Sequence, residues 1–169
     1  MYSHVLVPLD GSEAAEAVLP HAQSIASAFH ARLTLLRASV AVETLVAQTA
    51  GSGGPGLGDV SAPIDPEPVL EAEREEAEDY LDALVARLRV QHVEVAVDRP
   101  EGPAEDVIVQ RARDLDVDLI AMTTHGRSGL GRLVFGSVAD AVLRHAPCPV
   151  LLIRVHRTSD DDDESATPT

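Results

Sequence analysis

The chain has 169 residues, long enough for one domain with a sizeable hydrophobic core. Hydrophobic residues make up 45% and charged residues 24%, the balance of a globular protein and not of a disordered one. The formal net charge of -15 excludes general binding to nucleic acid or to anionic membranes, because both need a basic footprint. No apolar run reaches the roughly 18 residues of a membrane span. The sequence opens directly on a strand-like segment without a basic leader, so the expectation is a cytoplasmic protein. Cys148 is the single cysteine, which agrees with that expectation. All basic residues are arginines.

Val5–Leu9 is a nearly continuous apolar run, as expected for a strand buried on both faces. Asp10-Gly11-Ser12 ends it, and Ser12 is placed to cap a following helix whose positive end Glu13 and Glu16 suit. Ala15, Val18, Leu19, Ala22, Ile25, Ala26 and Phe29 recur at helical spacing, with Pro20 inside the pattern as a bend. Leu33–Leu36 reads as a second strand. Residues 41–68, with Gly51-Ser52-Gly53-Gly54-Pro55-Gly56-Leu57-Gly58 and Pro63, Pro66 and Pro68, read as a flexible Gly/Pro-rich loop, either a lid or a tolerated insertion.

Val69–Arg89 returns to helical periodicity, with Val69, Tyr80, Leu81, Leu84, Val85 and Leu88 as the buried stripe. Its glutamates read as a solvated face. Val93–Val97 alternates as a third strand. A helix opening near Gly102 and running to about Leu115 turns Val107, Ile108 and Ala112 inward. Val117–Met122 is the fourth strand, Ser137–His145 the fourth helix, and Pro149–Ile153 the fifth strand. Residues 158–169, including Asp160-Asp161-Asp162-Asp163-Glu164, read as a disordered acidic tail. Residues 1–157 then form a single domain.

Alternation of strand and helix predicts an α/β fold, a doubly wound, Rossmann-like five-stranded parallel sheet of order 3-2-1-4-5 with helices on both faces. The switch point of that order lies between the first and fourth strands, where ligands bind beyond the carboxyl ends. Asp10-Gly11 and Thr123–Gly126 should therefore meet in one crevice. Between Leu119 and Ala139 there is no Asp or Glu. In that acid-free stretch Gly126, Gly129 and Gly131 let backbone N–H groups converge on an anion, and Gly136-Ser137 starts a helix whose dipole favours negative charge. Ser137 is either a hydroxyl donor to phosphate or a plain helix cap. Arg127 and Arg132 are either phosphate partners or exposed. The lysine of a P-loop is missing, and so is the G-x-G-x-x-G order. Asp10 either accepts from a ribose or base or closes an Asp-Gly turn, and it is a weak candidate ligand for Mg²⁺. Pro8 has no N–H to donate and belongs at the strand's end. No histidine or cysteine cluster has metal-ligand spacing, and no acid–base pair stands out, so a catalytic residue is not assigned.

Val5-Leu6-Val7-Pro8-Leu9-Asp10-Gly11-Ser12, Thr124-His125-Gly126-Arg127-Ser128-Gly129-Leu130-Gly131-Arg132, and Gly136-Ser137-Val138-Ala139 through Arg144-His145-Ala146-Pro147-Cys148-Pro149-Val150 resemble universal stress proteins over residues 2 to 155. The resemblance implies a nucleotide-binding domain of the fold described above, and a cytoplasmic stress-response regulator or sensor. The ATP-binding branch of that family spaces glycine, two residues, glycine, nine residues, then glycine with serine or threonine. Gly126, Gly136 and Ser137 match, but Thr123 stands at the first glycine's position and sets a β-branched side chain near the ribose and phosphates. By the same resemblance Pro8 and Asp10 border adenine and ribose, Ala38 lies at the adenine edge, and Arg127 and Gly129 face the phosphates. The implied ligand is ATP, AMP or ADP, with or without Mg²⁺, and any hydrolysis would be weak. A nucleotide-free interaction module is the alternative. The apolar run Val150–Val155 is an edge strand in the expected order and should pair with a second copy, making a homodimer with no nucleic-acid or membrane partner.

Overall fold

A computed structural model describes residues 1–39, 67–89, 92–125 and 136–155. Five parallel strands form one sheet in the order β3-β2-β1-β4-β5, as the alternation predicted. They are β1 (His4–Pro8), β2 (Arg32–Leu36), β3 (Val95–Asp98), β4 (Leu119–His125) and β5 (Val150–Val155). Among the described residues the helices are α1 (Glu13–Glu16), α2 (Leu19–Phe29), α3 (Glu67–Arg89), α4 (Ala104–Asp114) and α5 (Ser137–His145). Among the described residues no helix is long and apolar enough to cross a membrane.

Strand β1 is central and buried from His4 to Val7. It pairs with β2 from His4↔Arg32 to Pro8↔Leu36, and with β4 at Val5↔Leu119 and Leu6↔Ile120. Alternate side chains feed two cores. Val5, Val7, Leu33, Leu35 and Ala121 join the buried faces of α2 and α3, including Ala22, Leu81 and Leu88. Leu6, Leu36, Ile120 and Met122 join Ile108, Ala112 and Val142 of α4 and α5. A sheet covered on both faces explains why its central strand carries no solvent-side polar alternation.

Several boundaries differ from the sequence reading. The single helix expected across Pro20 is two helices, and Pro20 occupies the first turn of α2, where its missing N–H is not needed. Pro68 likewise belongs to the first turn of α3, which starts at Glu67, inside the expected loop. On α3 the buried stripe includes Leu70 and Ala77, while Tyr80 is only half-buried. On α4 Val109 is buried and Val107 is not fully so. Strand β3 spans Val95–Asp98 rather than Val93–Val97. Strand β4 runs on to His125, so Thr123 and Thr124 are strand residues. The expected 41–68 loop, apart from its last two residues, and the acidic tail lie outside the described residues.

The candidate crevice at the carboxyl ends of the strands

Pro8 is the last residue of β1, where its missing N–H leaves the ladder intact; the next N–H, from Leu9, donates to Leu36 O at 2.8 Å. The chain then turns. Asp10 Oδ1 accepts from the Ser12 N–H at 2.9 Å and from Ser12 Oγ at 2.6 Å, an Asx turn. Gly11 holds φ +85, a backbone region that glycine enters without strain. Ser12 caps α1 by accepting from the Ala15 N–H at 3.1 Å. Asp10 thus closes the turn and still borders the crevice.

A cavity of about 440 Å³ opens at this end of the sheet. Pro8, Asp10, Ala38, Thr123, Gly136 and Ser137, all singled out from sequence, line it together. Leu36, Ile108, Met122, Val138 and Ala139 form its apolar side. Gly126, Arg127 and Gly129 lie outside the described residues, as do Gly131 and Arg132.

The helix cap is Gly136, not Ser137. Gly136 has φ -59, makes no side-chain cap, and Ser137 is the first helical residue. Both are exposed. An uncapped helix start with a glycine leaves its leading N–H groups to be satisfied from outside the helix. A Cβ built on Gly136 meets nothing within 4 Å, so this opening is set by the backbone and not by crowding.

Thr124, inside the Thr123–Gly126 segment expected at the crevice, is 8% exposed and lines the cavity, and its Oγ1 is buried with no hydrogen-bond partner among the described residues. Sequence reasoning missed another part of the wall. Arg37, just past β2, lines the cavity with Glu73 and Glu76 of α3. Its Nη2 donates to Glu76 Oε1 at 3.3 Å, and its guanidinium lies 5.4 Å from the Tyr80 ring centroid, within cation–π range. Burial, followed by the charge of nearby Glu16, pushes the Tyr80 hydroxyl up to about 12, so the ring stays neutral against the arginine. Glu73 and Glu76 were read as part of a solvated helix face; they are exposed, yet they border the crevice. The signal for Arg37 was its place at the carboxyl end of a strand beside the switch point.

Among the described residues no group of three or more His, Cys, Asp or Glu could hold a metal ion. Asp10 supplies one carboxylate, so a magnesium ion here would need oxygens from a bound phosphate as well. Cys148 is half-buried against the α4–α5 core, and burial pushes its thiol up, which makes it a packing residue rather than a nucleophile.

The sequence profile of the universal stress protein family matches residues 1–154. The chain belongs to the universal stress protein family. A universal stress protein from Methanocaldococcus jannaschii is 30% identical over 154 residues, covering 91% of this chain and 83% of the relative. A solved universal stress protein from Burkholderia pseudomallei superposes with a TM-score of 0.64 at 32% identity, covering 90% of this chain and 96% of that one. A family protein from Arabidopsis thaliana, solved with AMP bound, shares the fold with a TM-score of 0.62 at 18% identity, covering 95% and 97%.

Proposed function

We propose that this universal stress protein binds an adenine nucleotide, ATP, ADP or AMP, in the crevice and works as a dimeric cytoplasmic regulator or sensor. The observation that carries the reading is the convergence of Pro8, Asp10, Ala38, Thr123, Gly136 and Ser137 on one cavity of about 440 Å³, a volume suited to a small organic ligand. The ends of β1 and β4 meet there at the switch point.

Charge and polarity assign the parts of the ligand. The start of α5, with its free N–H groups and dipole, suits phosphate, and Ser137 Oγ can donate to a phosphate oxygen. Thr123 and Thr124 line the same cavity. The apolar side formed by Leu36, Ile108, Met122 and Val138 suits the faces of a purine, with Ala38 at its edge. Pro8 and Asp10 border the ribose. Two fold neighbours support an adenine ligand: the Arabidopsis protein with AMP, and a universal stress protein in complex with cAMP with a TM-score of 0.56 at 24% identity. Mg²⁺, if it accompanies the nucleotide, would draw on Asp10.

The dimer rests on β5. It pairs only with β4 among the described residues, and Val150, Leu151, Leu152, Ile153 and Val155 are all left half-buried. An apolar edge of this kind is normally covered or paired. A second copy in antiparallel pairing would complete the sheet.

Calorimetric titration of the full chain with ATP and with AMP tests the ligand. Saturable binding at sub-millimolar nucleotide is expected, weakened by Gly136→Val, whose branched side chain would project into the opening. No heat at millimolar nucleotide would leave the nucleotide-free interaction module in its place. A sedimentation profile of a monomer at micromolar protein would overturn the dimer.

A further inference from the structure

Arg37 follows β2, on the opposite side of β1 from β4. Its backbone N–H donates to Asp98 O at 3.1 Å, which fixes where the side chain departs. The side chain is only 18% exposed. It is held between the Tyr80 ring and the Asp10-Gly11 turn, close enough that a Cβ built on Gly11 would lie 3.4 Å from Arg37 Cζ. A rigid planar cation thus lines the crevice and is poorly neutralised. Its acidic partner Glu76 sits at 3.3 Å and is 75% exposed, a pairing worth little. Nη1 is buried with no partner among the described residues, an arrangement that a bound acceptor would relieve.

Asp10, Glu73 and Glu76 line the same cavity, and among its described lining residues Arg37 is the one cation. Among the described charged side chains of this lining, only Arg37 attracts an anion. The start of α5 follows β4, two strand spacings or about 10 Å across the sheet from β2. One phosphate group does not span that gap. In doubly wound folds an arginine near the end of the second strand accommodates a phosphate ester on the ribose.

We propose that Arg37 is a second anion-binding point, and that the preferred ligand is an adenine nucleotide phosphorylated on its ribose 2′ or 3′ oxygen as well as on its 5′ oxygen. This rests on the nucleotide reading of the crevice. The added phosphate displaces exposed Glu76 and takes the Nη1–Nη2 fork in a bidentate contact. The 5′ phosphate stays at the start of α5. Ligand recognition here is then a choice of the phosphorylation pattern on the ribose, and not only of the base.

The test is calorimetric titration of the full chain with AMP, adenosine 2′,5′-bisphosphate and adenosine 3′,5′-bisphosphate at one salt concentration. One bisphosphate should bind about ten-fold tighter than AMP, the effect of one added charge-assisted bidentate contact. Arg37→Met should abolish that gain and leave AMP affinity within about two-fold. Glu76→Gln, a change at an exposed helix position, should enlarge the gain by removing the competing carboxylate. Equal affinity for AMP and both bisphosphates in the natural chain would overturn the proposal while leaving nucleotide binding intact. So would a preference that survives Arg37→Met. Failure of all three nucleotides to bind would overturn the crevice reading itself, and this proposal with it.

Discussion

At the amino ends of the strands, His4, Thr34, Ser3 and Asp118 are linked by hydrogen bonds; at the carboxyl ends, Arg37 and Thr124 each bury a polar atom with no partner among the described residues. His4 is 4% exposed. Its Nε2 bonds to Thr34 Oγ1 at 2.7 Å, and its Nδ1 lies 3.1 Å from Leu115 O and 3.0 Å from Arg32 Nη2. Asp118 accepts from the Ser3 N–H at 2.7 Å and from Ser3 Oγ at 2.6 Å. Both ends belong to the same sheet. Burying a polar group without a partner is unfavourable by about 1–3 kcal/mol, so a fold leaves such groups only where something else meets them. The amino end ties the sheet together, and the carboxyl end is where the cavity opens.

The contrast can be broken most strongly at His4. His4→Ala should destabilise the fold by about 2–4 kcal/mol, because it opens a cavity and strands Thr34 Oγ1 and Leu115 O; urea denaturation would read this, and a loss below about 1 kcal/mol would remove the amino-end network from the account. The same residue gives a pH dependence. Burial first, then the Arg32 charge beside Nδ1, hold the His4 pKa below 6.5 against opposing contributions from the Leu115 carbonyl, Asp118 and Glu94. The folded state therefore keeps His4 neutral while the unfolded chain protonates it. Stability from this group is complete above pH about 6.5 and is lost as pH falls below it. Denaturation midpoints that do not drop between pH 7.5 and 5.5, or that drop equally in His4→Gln, would contradict this.

One substitution made at both ends sharpens the comparison. Thr34→Val removes the partner of a buried imidazole nitrogen and should lower stability by about 1–3 kcal/mol. Thr124→Val removes a hydroxyl that has no partner among the described residues and should be neutral or stabilising by up to about 1 kcal/mol. Matching losses at the two positions, measured by urea denaturation, would end the distinction. The smallest stability effect belongs to Ser137→Ala. Ser137 is exposed and the cap is Gly136, so stability should stay within about 0.5 kcal/mol. Nucleotide affinity should fall about ten-fold if the hydroxyl meets a phosphate. Unchanged affinity would take Ser137 out of the phosphate site.

Periodicity made much of the fold legible. A nearly continuous apolar run marked β1 as buried on both faces, and the α5 pattern placed Ser137–His145 with its observed ends. The proline positions misled, because Pro20 and Pro68 looked like interruptions and are helix starts. A proline's missing N–H has the same local signature in a kink and in a first turn; the neighbouring packing decides between them. In the crevice, Pro8, Asp10, Ala38, Thr123, Gly136 and Ser137 were found from strand ends, the glycine loop and the family resemblance. Arg37, Glu73 and Glu76 were not, since an arginine after a strand and glutamates on a helix look like ordinary surface.

The sequence by itself determined the order of elements, the sheet topology and the pairing of two distant segments at one switch point. Strand periodicity and crossover handedness leave few other arrangements for such a chain. Only the tertiary structure decided how each polar group is satisfied. Asp10 closes a turn while bordering the crevice, Gly136 rather than Ser137 caps α5, and Arg37 is pinned under Gly11 and against Tyr80. Partnership between side chains is a property of three-dimensional neighbours, here up to 115 residues apart in the Ser3–Asp118 pair. That is why the contrast between the two ends of the sheet could not be read along the chain.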